Sequence, residues 1–124
     1  AHGFLTLKNK IFIQQRPSKG LMADLWEFPG GKINREESRV SALRRELREE
    51  LAIGIYKLSF LTQVTHYYTR FKVKLHVYTC LPKSLPALNP RRKWIKLSEF
   101  DQYPMPSGSA KIVDFLHTNI NRVG

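Results

Sequence analysis

The hydrophobic and polar positions along the chain separate into short alternating runs and two longer periodic ones. Phe4 to Leu7 and Ile11 to Gln15 read as two short strands about a turn at Lys8-Asn9-Lys10. Arg16 to Leu21 is a loop broken by Pro17 and Gly20, and Leu25 to Phe28 is a brief strand stopped by Pro29-Gly30-Gly31. From Ser38 to Leu51 the period changes to that of a helix. Ser38 offers a capping hydroxyl, and Val40, Leu43, Leu47 and Leu51 recur on one predicted buried stripe. Ile55 to Thr65 and Phe71 to Thr79 predict strands. In the second, Phe71, Val73, Leu75 and Val77 alternate with polar neighbours, which predicts one buried and one solvated face. Pro82 to Lys93 reads as a loop, Trp94 to Leu97 as a last strand, and Ser109 to Asn119 as a closing helix with Ile112, Val113, Leu116 and Ile120 inward. Strands and helices mix without regular alternation, so the fold class is α+β, with a mixed sheet.

A length of 124 residues suits one domain, taken here as 1–124, with 42% hydrophobic residues to build its core. The single cysteine, Cys80, cannot form an internal disulfide, which fits a reducing, cytoplasmic setting. No apolar run is long enough for a membrane span, and no signal-peptide pattern is present. The chain opens at Ala1 almost within a strand, which leaves room for residues or a whole domain ahead of it. Oligomeric state is not legible.

Net charge is +11, but its distribution is uneven. Seven of the ten acids lie between Asp24 and Glu50, where six bases accompany them; the rest of the chain is strongly basic. An acidic spot in a basic surround suits an enzyme that holds a cation and attracts a polyanion, and equally suits a soluble protein with a lysine-rich surface. Arg91-Arg92-Lys93 is the stretch best placed to meet nucleic acid or a triphosphate.

The acids are also patterned. Glu46, Glu49 and Glu50 stand at i, i+3 and i+4, so their carboxylates crowd one face of the predicted helix, beside its apolar stripe and away from Arg44 and Arg48. Arg45 can reach Glu49 but cannot neutralise all three. A hard divalent cation can, and Mg²⁺ commonly takes a few carboxylates together with substrate phosphate oxygens. Glu37 stands at the loop-to-helix junction, behind a glycine turn that permits positive φ and a close backbone approach. A carbonyl of that turn can reach the same metal.

Gly31, Glu37, Arg45, Glu46, Leu47, Glu49, Glu50 and Ile53 together match the Nudix box, G-x5-E-x7-R-E-U-x-E-E-x-G-U with U aliphatic. With six strict positions at roughly 5% usage each, a chance match is on the order of 10⁻⁶. The one departure is Ala52 in place of glycine, which bears on the turn after the helix. This resemblance implies a mixed sheet sandwiched between helices. It also implies that Glu46, Glu49, Glu50 and the Gly30 carbonyl ligate Mg²⁺, or Mn²⁺ as a substitute. Glu46 or Glu49 would then serve as general base, Glu37 would complete the acidic cluster, and Arg45 would orient the glutamates. The reaction implied is attack of water on a phosphorus of a nucleoside triphosphate.

Beyond the box, Gln15-Arg16-Pro17, Leu25 to Lys32, Lys93-Trp94-Ile95 and Tyr103 to Pro106 resemble the MutT-type 8-oxo-dGTP diphosphatases. That likeness implies substrate contacts from Arg16, Glu27 and Lys32. Ser109 stands where many such enzymes carry a base-reading asparagine. Leu21 to Pro29 and Val64 to Lys72 are also similar to the C-terminal domain of the MutY adenine glycosylases, which reads 8-oxoguanine in DNA but usually lacks an intact box. The intact acids favour a hydrolase over that domain, and a hydrolase of another nucleotide stays open. His66, His76 and His117 have no metal-ligand spacing. Trp26 and Trp94 read as core, and Tyr67 or Phe71 could line a base pocket.

Overall fold

A computed structural model describes residues 2–7, 10–20, 22–31, 33–34, 36–67 and 69–119. Lys8 and Asn9 of the expected first turn, and Leu21, Lys32, Tyr68 and Ile120, lie outside the described residues.

Six strands form the sheet: β1 (His2–Leu7), β2 (Lys10–Gln15), β3 (Trp26–Glu27), β4 (Ile55–Tyr67), β5 (Lys72–Pro82) and β6 (Arg92–Lys96). Among the described residues two helices accompany them, α1 (Arg39–Leu51) and α2 (Ser107–Thr118), with a 3-10 helix at Leu97–Gln102. The strand order is β3-β2-β1-β5-β4, and β6 pairs with β2. The β1–β5 pairing is parallel and the others are antiparallel, so the sheet is mixed as expected.

Side chains alternate across this sheet into two cores. Phe12, Tyr78 and Cys80 pack with Leu43, Leu47 and Leu51 of α1. Ile11, Ile13, Val77 and Ile95 pack on the other face with Ile112, Val113 and Leu116 of α2, together with Trp26, Phe28 and Phe100. The sheet is therefore sandwiched between the helices.

This arrangement corrects three expectations. β5 does not have one solvated face: Tyr78 and Cys80 are buried under α1, whereas Phe71, just ahead of the strand, is exposed. Val40 is also exposed, because the covered stripe of α1 begins at Ala42 and Leu43. The last strand starts earlier than its hydrophobic core suggests, since Arg92 and Lys93 join Trp94 in pairing with β2. The 3-10 helix that follows is closed at its start by the Glu99 carboxylate, which accepts from the Lys96 amide at 2.8 Å. The expected N-terminal cap of α1 is present: the Ser38 hydroxyl accepts from the Ser41 amide at 3.1 Å.

Candidate active site

The loop from Phe28 to Ser38 brings the glycine turn and Glu37 against α1. Gly30 has φ of +142°, a value that favours glycine. Gly31 is required for a different reason. A Cβ there would lie 2.8 Å from Glu46 Cδ and 2.9 to 3.0 Å from its carboxylate oxygens. The Glu46 carboxylate thus packs directly on the turn, and any side chain at 31 would displace it.

Arg45 gathers the acids. Its Nε donates to Glu37 Oε2 at 2.8 Å and its Nη2 to Glu37 Oε1 at 3.1 Å, a two-point grip. Its Nη1 donates to Glu46 Oε1 at 2.9 Å and to Glu49 Oε2 at 3.2 Å. The sequence assigned Arg45 one partner by spacing; the structure gives it three carboxylates. Hydrogen bonding to Arg45 is the main influence holding the Glu37 carboxyl below its ordinary pKa, and Glu37 in turn raises that of Arg45. The Glu37 carboxylate also accepts from the Asn34 amide at 3.1 Å, which ties the loop to the helix. Arg44, off the acidic face, donates from its Nη1 to the Ile55 carbonyl at 2.7 Å.

Glu50 differs from its neighbours. Its carboxylate accepts from the Gln14 side-chain amide of β2 at 2.7 Å. Burial raises its pKa to about 7, and the nearby Glu46 and Glu27 carboxylates add to the rise. Gln14 was not singled out in the sequence. Glutamine is an ordinary strand residue, and thirty-six positions separate it from Glu50.

Arg16 and Glu27 also meet, at 2.9 Å, at the end of β2 and on β3. Glu27 is the register partner of Gln14, so it lies one strand from the Glu50 contact. Ser109 is not brought to this group. It is buried at 8% exposure in the first turn of α2, on the opposite face of the sheet. Tyr67 and Phe71 are exposed, Trp26 is core and Cys80 is buried. Among the described residues, no three acidic, histidine or cysteine side chains converge as they would around an ion. Arg45 draws in Glu37, Glu46 and Glu49, while Gln14 holds Glu50 beside Glu46.

The family profile of the NUDIX domain matches residues 2–115. An 8-oxo-dGTP diphosphatase of Buchnera aphidicola subsp. Schizaphis graminum is 31% identical over 119 residues, covering 95% of this chain and 92% of that protein. The adenine DNA glycosylase of Mus musculus is 28% identical over 106 residues, which is 82% of this chain but 21% of the glycosylase. The solution structure of the Escherichia coli ORF135 protein superposes with a TM-score of 0.77 at 27% identity, covering 91% of this chain and 83% of that one. With the box geometry in place and the profile spanning nearly its whole length, the chain belongs to the NUDIX family of hydrolases.

Proposed function

We propose that this chain hydrolyses a nucleoside triphosphate to the monophosphate and pyrophosphate with the help of a divalent cation, and that its substrate is an oxidised purine nucleotide, 8-oxo-dGTP. The observation that carries the hydrolytic part is the gathering of Glu37, Glu46 and Glu49 on Arg45, with Glu50 turned to a neutral amide. The substrate part is supported by the extended similarity to the Buchnera diphosphatase.

The chemistry of the donor set suits a cation. Every donor is a hard oxygen, and the Glu46 carboxylate lies in the space that a side chain at position 31 would fill. Among the described residues, Arg45 alone supplies positive charge to three of the carboxylates, and Glu50 has a neutral partner. Glu46, Glu49, Glu50 and the Gly30 carbonyl would hold the ion, Mg²⁺ or Mn²⁺. When bound, such an ion neutralises charge on the phosphate chain and lowers the pKa of water. Glu49 is 61% exposed, the most open of the acids that bond Arg45, which suits it to accept a proton from the attacking water. Glu46, at 19% exposure and wedged on Gly31, suits a fixed ligand. Arg45 holds both carboxylates in place, and Glu37 anchors Arg45 from the loop side.

Water adds to the α- or β-phosphorus, the bridging P–O bond between them breaks with pyrophosphate or the nucleoside monophosphate as leaving group, and the proton of the water passes to the carboxylate. Arg16, paired with Glu27, stands at the edge of this group, where the pair can turn to a nucleotide; Lys32 is assigned to substrate by resemblance alone. With Ser109 buried, contacts to the base would come from main-chain groups at the start of α2, where no side chain caps the helix.

A substrate panel with Mg²⁺ tests this reading. The expected result is kcat/KM for 8-oxo-dGTP well above that for dGTP, with monophosphate and pyrophosphate as products. Equal values remove the sanitising role and leave a general nucleotide hydrolase. The similarity to the mouse glycosylase supports a second reading, a module that recognises 8-oxoguanine in DNA. Under it, the basic chain binds an 8-oxoguanine duplex selectively, with steep loss of affinity in salt and without nucleotide hydrolysis.

A further inference from the structure

Three carboxylates of the box bond Arg45, whereas Glu50 meets a neutral donor, Gln14. Gln14 is the register partner of Glu27 on β3 and of Arg92 on β6, so the three residues form a row across the sheet. Phe12 and Trp94, two positions along from Gln14 and Arg92, pack in the α1 layer. By the two-residue strand period, Gln14 and Arg92 therefore face α1 as well. Arg92 is close to Glu50 but does not pair with its carboxylate. Its Nη2 donates to the Glu50 main-chain carbonyl at 2.8 Å, and its Nη1 to the Ala87 carbonyl at 2.9 Å.

The sheet thus grips Glu50 at two points, and the division of labour has a physical sense. The guanidinium is committed to the backbone at the end of α1, where a cation suits the exposed carbonyls. The carboxylate receives the Gln14 amide and lies against the Glu46 carboxyl, with no described cation paired to it. A guanidinium on that carboxylate would cancel its charge, and an acid at position 14 would repel it. A neutral amide fixes one oxygen without adding a countercharge.

We propose that Gln14 is a positioning residue for Glu50, holding one carboxylate oxygen so that the other, which no described cationic side chain pairs, is presented to a divalent cation. This rests on the reading of Glu50 as a cation ligand. Groups that hydrogen-bond a ligating side chain typically change metal affinity or activity by about 10- to 100-fold when removed.

The test is Mn²⁺ titration of the substrate-free protein, with free Mn²⁺ followed by electron paramagnetic resonance, for wild type and Gln14→Met. Methionine is close to glutamine in length and volume but has no donor. The expected result is a Kd for Mn²⁺ about tenfold or more above wild type, with the thermal midpoint little changed. A Kd within twofold of wild type overturns the proposal, as does a fall in kcat and thermal midpoint with Kd unmoved. Gln14→Asn keeps the amide but is one methylene too short. It should lose the same affinity and serves if the methionine variant does not fold. Failure of wild type to bind Mn²⁺ overturns both the cation reading and this role. Normal Mn²⁺ binding without nucleotide hydrolysis contradicts the proposed reaction and leaves the role of Gln14 to be decided by the Kd comparison.

Discussion

Burial of the Glu50 carboxyl beside Glu46 and beneath Gln14 raises its pKa from 4.5 to about 7, and this has a consequence for folding. The folded state holds the proton more tightly than the unfolded state does. Stability from this group is therefore full below about pH 4.5 and is lost as the pH rises through about 7. In the presence of a chelator, Glu50→Gln should remove that loss. The variant should melt above wild type at pH 8, by about 1–2 kcal/mol once the partial exposure of the group is allowed for, with a smaller difference at pH 5. Thermal melts at the two pH values check it; a variant less stable than wild type at pH 8 contradicts the assignment. Glu37 shows the opposite case, a carboxylate made comfortable in its charged form by Arg45. The two residues divide the cluster into an acid satisfied by the protein and an acid that a cation would satisfy.

The element that organises these residues is α1, and much of it is written locally in the sequence. The cap at Ser38, the leucine period and the i, i+3, i+4 glutamates all depend on neighbours within a few residues. The exposure of Val40 and the burial of Tyr78 and Cys80 could not be read that way, because they depend on which part of the sheet each helix covers. The Gln14–Glu50 contact joins two elements through the tertiary fold and leaves no periodic trace. The burial of Ser109 is likewise set by how α2 lies on the sheet. Ala52 was visible as a departure from the box, and the structure gives it a meaning. It ends α1 with φ of 55° and ψ of 38°, in the left-handed region, while its amide donates to the Arg48 carbonyl at 3.0 Å. The turn is kept and the alanine side chain is strained in it. Ala52→Gly should therefore stabilise the protein by about 0.5–1 kcal/mol, the relief of strain exceeding the added freedom of the unfolded chain. Chemical denaturation of the two proteins measures this, and a less stable glycine variant contradicts the helix end described here.

At the scale of the whole molecule, two helices on opposite faces of one mixed sheet separate the work of the chain. The α1 face holds the acids and their supports, and the α2 face holds the larger share of the aromatic core. A basic chain with its acids concentrated between Asp24 and Glu50 is suited to attract a phosphate chain and bring it to a cation. The described helices include none long and apolar enough to cross a membrane. The central claim is that the carboxylates gathered on α1 cut a nucleoside triphosphate in the presence of Mg²⁺. Its most direct test is turnover of 8-oxo-dGTP by wild type and by Glu49→Gln, with products resolved by ion-exchange chromatography. The account predicts monophosphate and pyrophosphate from wild type, and a loss of turnover of about 10²- to 10⁴-fold in a variant that melts as wild type does. Equal turnover by the two proteins, or release of inorganic phosphate in place of pyrophosphate, would contradict it.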